Sequence, residues 1–410
     1  MIAVVGAGAA GLAAAIFAAR RGARGPMVAL DGAARLGAKI LVSGGGRCNV
    51  TNRVVTPADF RGGRPAAVRR VLAGFPAEAA VDFFREIGVA LHEEEDGKLF
   101  PDSNRARDVL TALLEEAERR GVRLQPGHRV LAVRRESEAF RVETSRGPLS
   151  AHAVVLATGG MSLPKTGSDG AGYALAESLG HTLTPRTPAL VPLVLDGDFH
   201  VRLAGVSHRV ELTVRGDDAK AVRVRGALLW THFGASGPAV LDASRFWHAA
   251  TRPRTSADLV PGRSFAGMEE RLLDEARSSP RRTLEAALAE WLPGAVARAA
   301  LAALGIAAGT RLGQLSREDR RRLLRALLDW PLPVRDSRGW NFAEVTAGGV
   351  PLAQVDPSTM ESRRTPGLFV VGEILDVDGR LGGFNFQWAW STGFAAARGL
   401  AAGSADRRVC

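Results

Sequence analysis

The chain has 410 residues, 46% hydrophobic and 24% charged, which supplies apolar material for two or three packed domains and excludes a disordered polymer. Its two cysteines, Cys48 and Cys410, exclude a disulfide framework, a multi-cysteine zinc site and an iron–sulfur cluster, and no metal is expected. The net charge is +11, but of 54 basic residues only Lys39, Lys98, Lys165 and Lys220 are lysine and the arginines are scattered, so biased composition accounts for the charge and no nucleic-acid partner is expected.

The first thirty residues read strand, glycine turn, helix, strand. Ile2–Val5 is apolar and β-branched, residues 12–21 are Ala-rich and helical, and Met27–Leu30 is a second strand. This βαβ opening is not a signal peptide, and no apolar stretch is long enough to span a bilayer, so a cytoplasmic protein without a membrane partner is expected. Helical spacing of Val109, Leu110, Leu113 and Leu114 predicts a helix over 105–120, with Asp102 and Ser103 as its cap. Three strands of a β-meander follow at 128–134, 140–143 and 149–156. Strands are predicted at 190–195, 208–214 and 221–229, then a helical, Arg/Ala/Leu-rich stretch over 257–328. The one dense basic run, from Arg317 to Arg325, has the spacing of a solvated helix face. A last apolar strand at 368–371 leads through a glycine turn at 379–383 into a helix over 387–400.

Three motifs carry chemistry. The first is Gly6-Ala7-Gly8-Ala9-Ala10-Gly11 with Asp31 after the second strand. Gly6 permits a tight turn, Gly8 a close approach of backbone to a pyrophosphate, and Gly11 close packing of helix on sheet; Asp31 can accept from a ribose hydroxyl. Its position at the head of the chain and the meander ending in Ala157-Thr158-Gly159-Gly160 favour FAD over NAD, and no second such turn offers NAD(P)H a domain of its own. Val130, Thr158, Gly159 and Gly160 are candidate cofactor contacts. The second motif is Ser43-Gly-Gly-Gly-Arg-Cys-Asn-Val-Thr-Asn52, preceded by Lys39. Lys39, Ser43, Gly45, Gly46, Arg47, Cys48 and Asn49 are candidates to line a flat ring: the glycines leave bare backbone, Arg47 offers positive charge, and Cys48 reads better as a packing residue than as a redox partner. The third is Gly382-Gly383-Phe384-Asn385 at the head of the last helix, preceded by Gly372-Glu373 and Asp376. A helix N-terminus there stabilises negative charge arising on a reduced flavin, and Asn385 is the expected N-cap. His232, in Thr231-His-Phe-Gly-Ala-Ser-Gly-Pro238, and Arg47 are the candidate catalytic residues. No nucleophile elbow, zinc-protease or Walker motif occurs, which removes those hydrolase and NTPase classes.

These strings together resemble the BaiN/YhiN-like family of NAD(P)/FAD-dependent flavoproteins. The resemblance covers nearly the whole chain except 250–335, and Gly-Gly-Gly-Arg-Cys-Asn-Val-Thr-Asn with the glycines of 372–393 carries it most specifically. It implies an α/β fold: a Rossmann-like FAD-binding domain, a doubly wound parallel sheet plus β-meander, with inserted β-barrel-like and helical modules. The expected partition is 1–187 and 346–410 for the FAD domain, 188–250 and 331–345 for the β module, and 251–330 for the helical one. It also implies flavin contacts from Arg47, Asn49, Gly372, Glu373, Asp376, Gly382, Gly383, Phe384 and Asn385. Asp31 stands where Glu is usual, and Phe386-Gln-Trp-Ala-Trp390 where the family carries smaller aliphatic residues. The expected activity is an FAD oxidoreductase with NAD(P)H as transient donor, passing hydride through flavin N5 to an activated C=C of a small or steroid-like compound. The alternatives are an oxygen-dependent oxidase of a small amine or amino ketone, an RNA-modifying flavoprotein, and a flavin-binding sensor.

Overall fold

The computed structural model describes residues 1–217 and 220–402; Cys410 lies outside them. The chain packs as two compact units, Met1–Pro188 with Glu344–Cys410, and Ala189–Ala343.

The first unit is built on a five-stranded parallel sheet in the order Leu368–Val370, Ala153–Leu156, Ile2–Val5, Met27–Leu30, Val122–Gln125. Every residue of the inner strands is buried, as continuous apolar runs require when both faces of a parallel sheet are covered. Val122-Arg-Leu-Gln125 was not among the predicted strands: it is an edge strand, and its alternating polar residues hide an apolar run. Helix Ala9–Arg20 follows the first strand and is buried from Ala10 to Ala18. Helix Phe384–Ala402 lies against it where Gly393 removes a side chain: a Cβ at Gly393 would sit 2.7 Å from Ala13 Cβ and 2.8 Å from Ala14 N. Phe17 packs its ring, tilted or edge-on, at 4.8–5.3 Å from those of Phe83, Phe75 and Phe394, which ties helices Pro65–Gly74 and Ala77–Glu86 to the same core. Both of those helices went unpredicted.

The predicted strand over 149–156 is two strands. Gly147–Ala151 closes a meander with Ala139–Thr144 and Val130–Glu136, whereas Ala153–Leu156 enters the parallel sheet. The chain changes partner at His152, whose N–H donates to Met1 O at 2.9 Å. Helix Ala106–Arg119 begins after Arg105, and no side chain caps it; the predicted cap residue Asp102 instead lies 3.5 Å from His92 Nδ1. Buried Glu116 on this helix is held by Arg20, Arg119 and Arg120 at 2.7–2.9 Å, so its charge is matched rather than stranded.

The second unit carries a seven-stranded antiparallel sheet in the order Trp330–Leu332, Arg254–Asp258, Ser207–Arg215, Val222–Thr231, Gly234–Ser236, Leu193–Leu195, Val334–Ser337. Helices Pro238–Ala249, Phe265–Ser278, Gly294–Ala303 and Arg317–Leu328 share its core: Leu212, Trp230 and Ala257 of the strands belong to one cluster with Val240, Leu272 and Leu324. The strand predicted at 190–195 begins only at Leu193, because Leu190 has φ 51° and Pro192 follows it.

Candidate cofactor site

The glycine turn divides its labour. Gly6 has φ 102°, and a Cβ on it would lie 2.4 Å from Ala157 O. A Cβ on Gly11 would lie 1.9 Å from Gly6 O. Both are demanded by protein packing. Gly8 is different: nothing stands within 4 Å of where its Cβ would be, and it precedes Ala9, Ala10 and the rest of a helix whose N-terminus no side chain caps. Open space in front of uncapped, positively polarised N–H groups fits a pyrophosphate. Beside the turn, Thr158 Oγ1 is buried without a hydrogen-bond partner, a group that calls for a ligand to satisfy it. Asp31 shapes the turn, its Oδ2 accepting from Ala7 N at 2.9 Å and its Oδ1 from Ala33 N at 2.8 Å. A carboxylate with two such bonds retains lone pairs for a ribose hydroxyl.

Lys39 and Glu373, 334 residues apart, meet. Lys39 Nζ donates to Glu373 Oε2 and to Ser162 Oγ, both at 2.6 Å. Glu373 Oε1 accepts from Ser162 Oγ at 2.8 Å and from Thr346 N at 2.9 Å. Gly160 admits this network: a Cβ there would lie 2.2 Å from Thr346 Oγ1. Gly159 has φ 72°, and a Cβ on it would lie 2.6 Å from Ser168 Oγ. Gly372, at φ 77°, donates its N–H to Thr392 Oγ1 at 3.0 Å and passes so near Ala10 that a Cβ would lie 2.6 Å from that residue's own. The end of the last sheet strand is thereby set against the first turn of the first helix. Asp376 lies a few residues on, its carbonyl accepting from Gly63 N at 3.0 Å. Val130 is buried at the start of the meander.

The loop at 43–52 is stitched to the last helix by side chains. Gly44, Gly45 and Gly46 all have positive φ, and nothing stands within 4 Å of a Cβ on Gly45. Ser43 Oγ donates to Ile40 O at 2.7 Å, and Ser43 O accepts from Cys48 N at 3.1 Å. Cys48 is fully buried, and burial pushes its thiol up to about 12. It is a packed neutral thiol, not a thiolate nucleophile. With its amide oriented to suit its neighbours, Asn49 donates to Leu99 O and Thr51 O at 3.2 and 2.9 Å and accepts from Gly383 N at 3.1 Å. Asn52 Nδ2 donates to Gly382 O at 3.0 Å, Thr51 Oγ1 to Gln387 Oε1 at 2.6 Å, and Trp390 Nε1 to Val50 O at 2.9 Å. Gly383 rather than Asn385 takes the cap position, its carbonyl accepting from Gln387 N at 3.0 Å. Asn385 lies inside the helix and brackets Gly379, bonding its N and O at 2.8 and 2.9 Å. Phe384 points into the core, edge-on to Phe60 at 6.2 Å.

Arg47 sits at the edge of this loop with partners of its own. Its Nη1 donates to Glu94 Oε1 at 2.6 Å and to Asn104 Oδ1 at 3.3 Å, and its guanidinium lies 4.1 Å over the Phe100 ring. The hydrogen bond from Arg47 holds the Glu94 carboxyl below its usual range. His92 Nε2 lies 3.4 Å from the same carboxylate. The other catalytic candidate, His232, belongs to the second unit, its ring edge-on to Phe233 at 5.1 Å.

Ser162, Thr346, Glu94 and Gln387 were not singled out from the sequence. Ser162 lies in Ala157-Thr-Gly-Gly-Met-Ser162 and Gln387 in the last glycine motif, so a signal existed for both. Nothing local marks Glu94 or Thr346 as partners of residues 47 and 373.

Residues 1–399 match the family described as HI0933-like protein Rossmann domain. The chain is 35% identical over 402 residues to a ribosomal RNA dihydrouridine synthase of Escherichia coli, covering 97% of each chain. It is 32% identical over 404 residues to a 3-dehydro-bile acid delta(4,6)-reductase of Clostridium scindens, covering 98% of each. Among solved structures it resembles in fold the open conformation of a flavocytochrome c3 fumarate reductase, with TM-score 0.51 and 16% identity, over 98% of this chain and 78% of that one. With its parallel sheet, its uncapped glycine turn and a family match across nearly its whole length, the chain belongs to the HI0933-like family and is an FAD-dependent oxidoreductase.

Proposed function

We propose that the chain is a reductase that adds hydrogen across a C=C bond conjugated to a carbonyl, with NAD(P)H as electron donor, and that its substrate is a uracil of ribosomal RNA. The observation that carries this reading is the pair of full-length relatives. Their named substrates differ greatly in size but share one bond type. In uracil the 5,6 double bond is conjugated to the 4-carbonyl, and in a 3-dehydro bile acid the 4,6-diene is conjugated to the 3-carbonyl. FAD, when bound, supplies two-electron storage and hydride transfer.

The chain supplies binding and electrostatics. The N–H groups after Gly8 would neutralise a pyrophosphate, and Asp31 would take the ribose hydroxyls. The first N–H groups of helix Phe384–Ala402 favour negative charge at its head. Arg47, fixed by Glu94 and Phe100, holds a positive charge beside the glycine run. His232 is the candidate proton donor, tested by slower turnover in His232→Gln with flavin content unchanged.

The experiment is an anaerobic visible spectrum of the purified protein before and after NADPH, followed by a protein-free ribosomal RNA transcript. Bleaching by NADPH, recovery on adding RNA, and uridine gaining two hydrogens by mass support the reading. No bleaching by NADH or NADPH overturns the donor. Recovery with an unsaturated oxo-steroid but not with RNA moves the substrate to the second reading, a steroid-like enone, which the bile-acid relative favours.

A further inference from the structure

The arginine run that the flavin chemistry leaves unused folds as helix Arg317–Leu328 of the second unit. Leu323, Leu324 and Leu327 are fully buried, so the basic side faces outward. Ser316 caps the helix, accepting from Asp319 N at 3.0 Å. Arg317, Arg321 and Arg325 recur every four residues, spaced about 6 Å along the axis. With Glu318 and Arg322 they line one shallow depression.

The charges on this face do not balance. Arg322 pairs with Asp319 at 2.7 Å. Arg320 and Arg321 share a single carboxylate, Glu269, at 3.4 and 3.6 Å, and the Nε of each is buried, so neither Nε faces the solvent. Arg317 and Arg325 are exposed and form no ion pair among the described residues. On the neighbouring helices Phe265–Ser278 and Gly294–Ala303 the arginines are matched, Arg271 with Glu275 and Glu290, Arg277 with Asp274 and Arg298 with Glu285, whereas the exposed Arg209, Arg281 and Arg311 stand apart from one another in the chain and, like Arg317 and Arg325, form no ion pair among the described residues. A row whose two ends, Arg317 and Arg325, are exposed and unpaired is a surface for an anion. Planar forks that donate in pairs suit phosphate oxygens. A membrane-binding helix would present large apolar side chains beside the basic ones, and none of the exposed large hydrophobic residues lies on this helix.

We infer that this face, centred on Arg317, Arg321 and Arg325, docks the phosphate backbone of RNA. The inference rests on the ribosomal-RNA reading above and adds the surface that would hold such a substrate away from its reacting base. Phosphate contacts position without reading sequence, and each contributes about 0.7–0.9 to the salt slope of binding.

The test measures binding of flavin-loaded protein to a protein-free ribosomal RNA transcript by fluorescence anisotropy across a salt series. Arg317→Glu/Arg325→Glu is compared with Arg64→Glu/Arg69→Glu, an equal charge reversal at exposed arginines of the first unit. The inference expects the first variant to lose about tenfold in affinity and about 1.5 in slope. The control variant should stay near the unaltered protein, and both should keep full flavin content and NADPH bleaching. Equal losses in both variants would show a response to net charge alone and overturn the face. Full binding by the Arg317/Arg325 variant overturns this inference while leaving the RNA reading standing. No binding by the unaltered protein overturns the RNA reading itself. Capture on phosphatidylserine vesicles that the first variant loses, with RNA binding unchanged, assigns the face to lipid and overturns RNA.

Discussion

The two glycine-rich turns of the first unit solve the same problem by opposite means. The turn at 6–11 is specified by exclusion: Gly6 and Gly11 have no room for a Cβ, and no side chain is needed to hold the shape except Asp31. The loop at 43–52 is specified by attachment: its glycines have room or left-handed torsions, and Asn49, Thr51 and Asn52 tie it to the final helix. A turn built by exclusion can present bare backbone to a ligand. A loop built by attachment spends the side chains of Asn49, Thr51 and Asn52 on the protein and leaves its glycine backbone bare.

The contrast can be broken most directly inside the first turn. Gly11→Ala forces backbone apart and should destabilise the fold by about 3 kcal/mol or more in a denaturant titration. Gly8→Ala meets open space, so the flavin-free protein should change by less than about 1 kcal/mol. The same substitution should weaken FAD at least about tenfold, read by flavin retention. Equal instability of the two variants would show that Gly8 serves packing too. Next in size, Asn49→Leu should cost about 2 kcal/mol by removing the side-chain partner of Gly383 N and Thr51 O. An unchanged unfolding midpoint would mean that attachment is not what holds the loop.

The smallest effect lies outside both turns. His181 is buried, Nδ1 lying 3.0 Å from Gln354 Oε1 and Nε2 2.9 Å from Ser362 Oγ. Burial keeps its pKa below the usual 6.5, as it does for His200, His208 and His248. Below about pH 6.5 the unfolded chain binds protons that the folded chain refuses, so stability is level above that pH, falls beneath it, and flattens once the folded groups protonate. The melting temperature should therefore drop between about pH 6.5 and 5, and His181→Gln should drop less steeply. A flat profile would put these histidines in contact with solvent.

Features set by short-range sterics were legible in the sequence. Ile2–Val5 and Met27–Leu30 fall where their β-branched runs put them, and Gly6, Gly8 and Gly11 have separable reasons for being glycine. Strand ends that depend on a change of partner were not: nothing in Leu149-Ser-Ala-His-Ala-Val-Val-Leu156 announces that His152 divides two sheets. The charged residues of the site were half legible. Lys39, Arg47 and Glu373 could be named as candidates, but Lys39 pairing with Glu373 and Arg47 with Glu94 depend on contacts across 334 and 47 residues. Asn385 looked like a cap because caps favour Asn, yet Gly383 starts the helix one turn earlier than the apolar pattern suggested.

The contact through Gly393 also sets a schedule. The Ala13–Ala14 face of the first helix is covered by a helix that the ribosome makes more than three hundred residues later. At about 5–20 residues per second this leaves the Ala-rich helix waiting on the order of tens of seconds, while the uninterrupted stretch 189–343 emerges in between with its own core already in hand. A nascent chain of this protein therefore finishes its inserted unit before it can finish the unit that begins it, and the Ala13–Ala14 face is the surface for which a chaperone would have the longest opportunity.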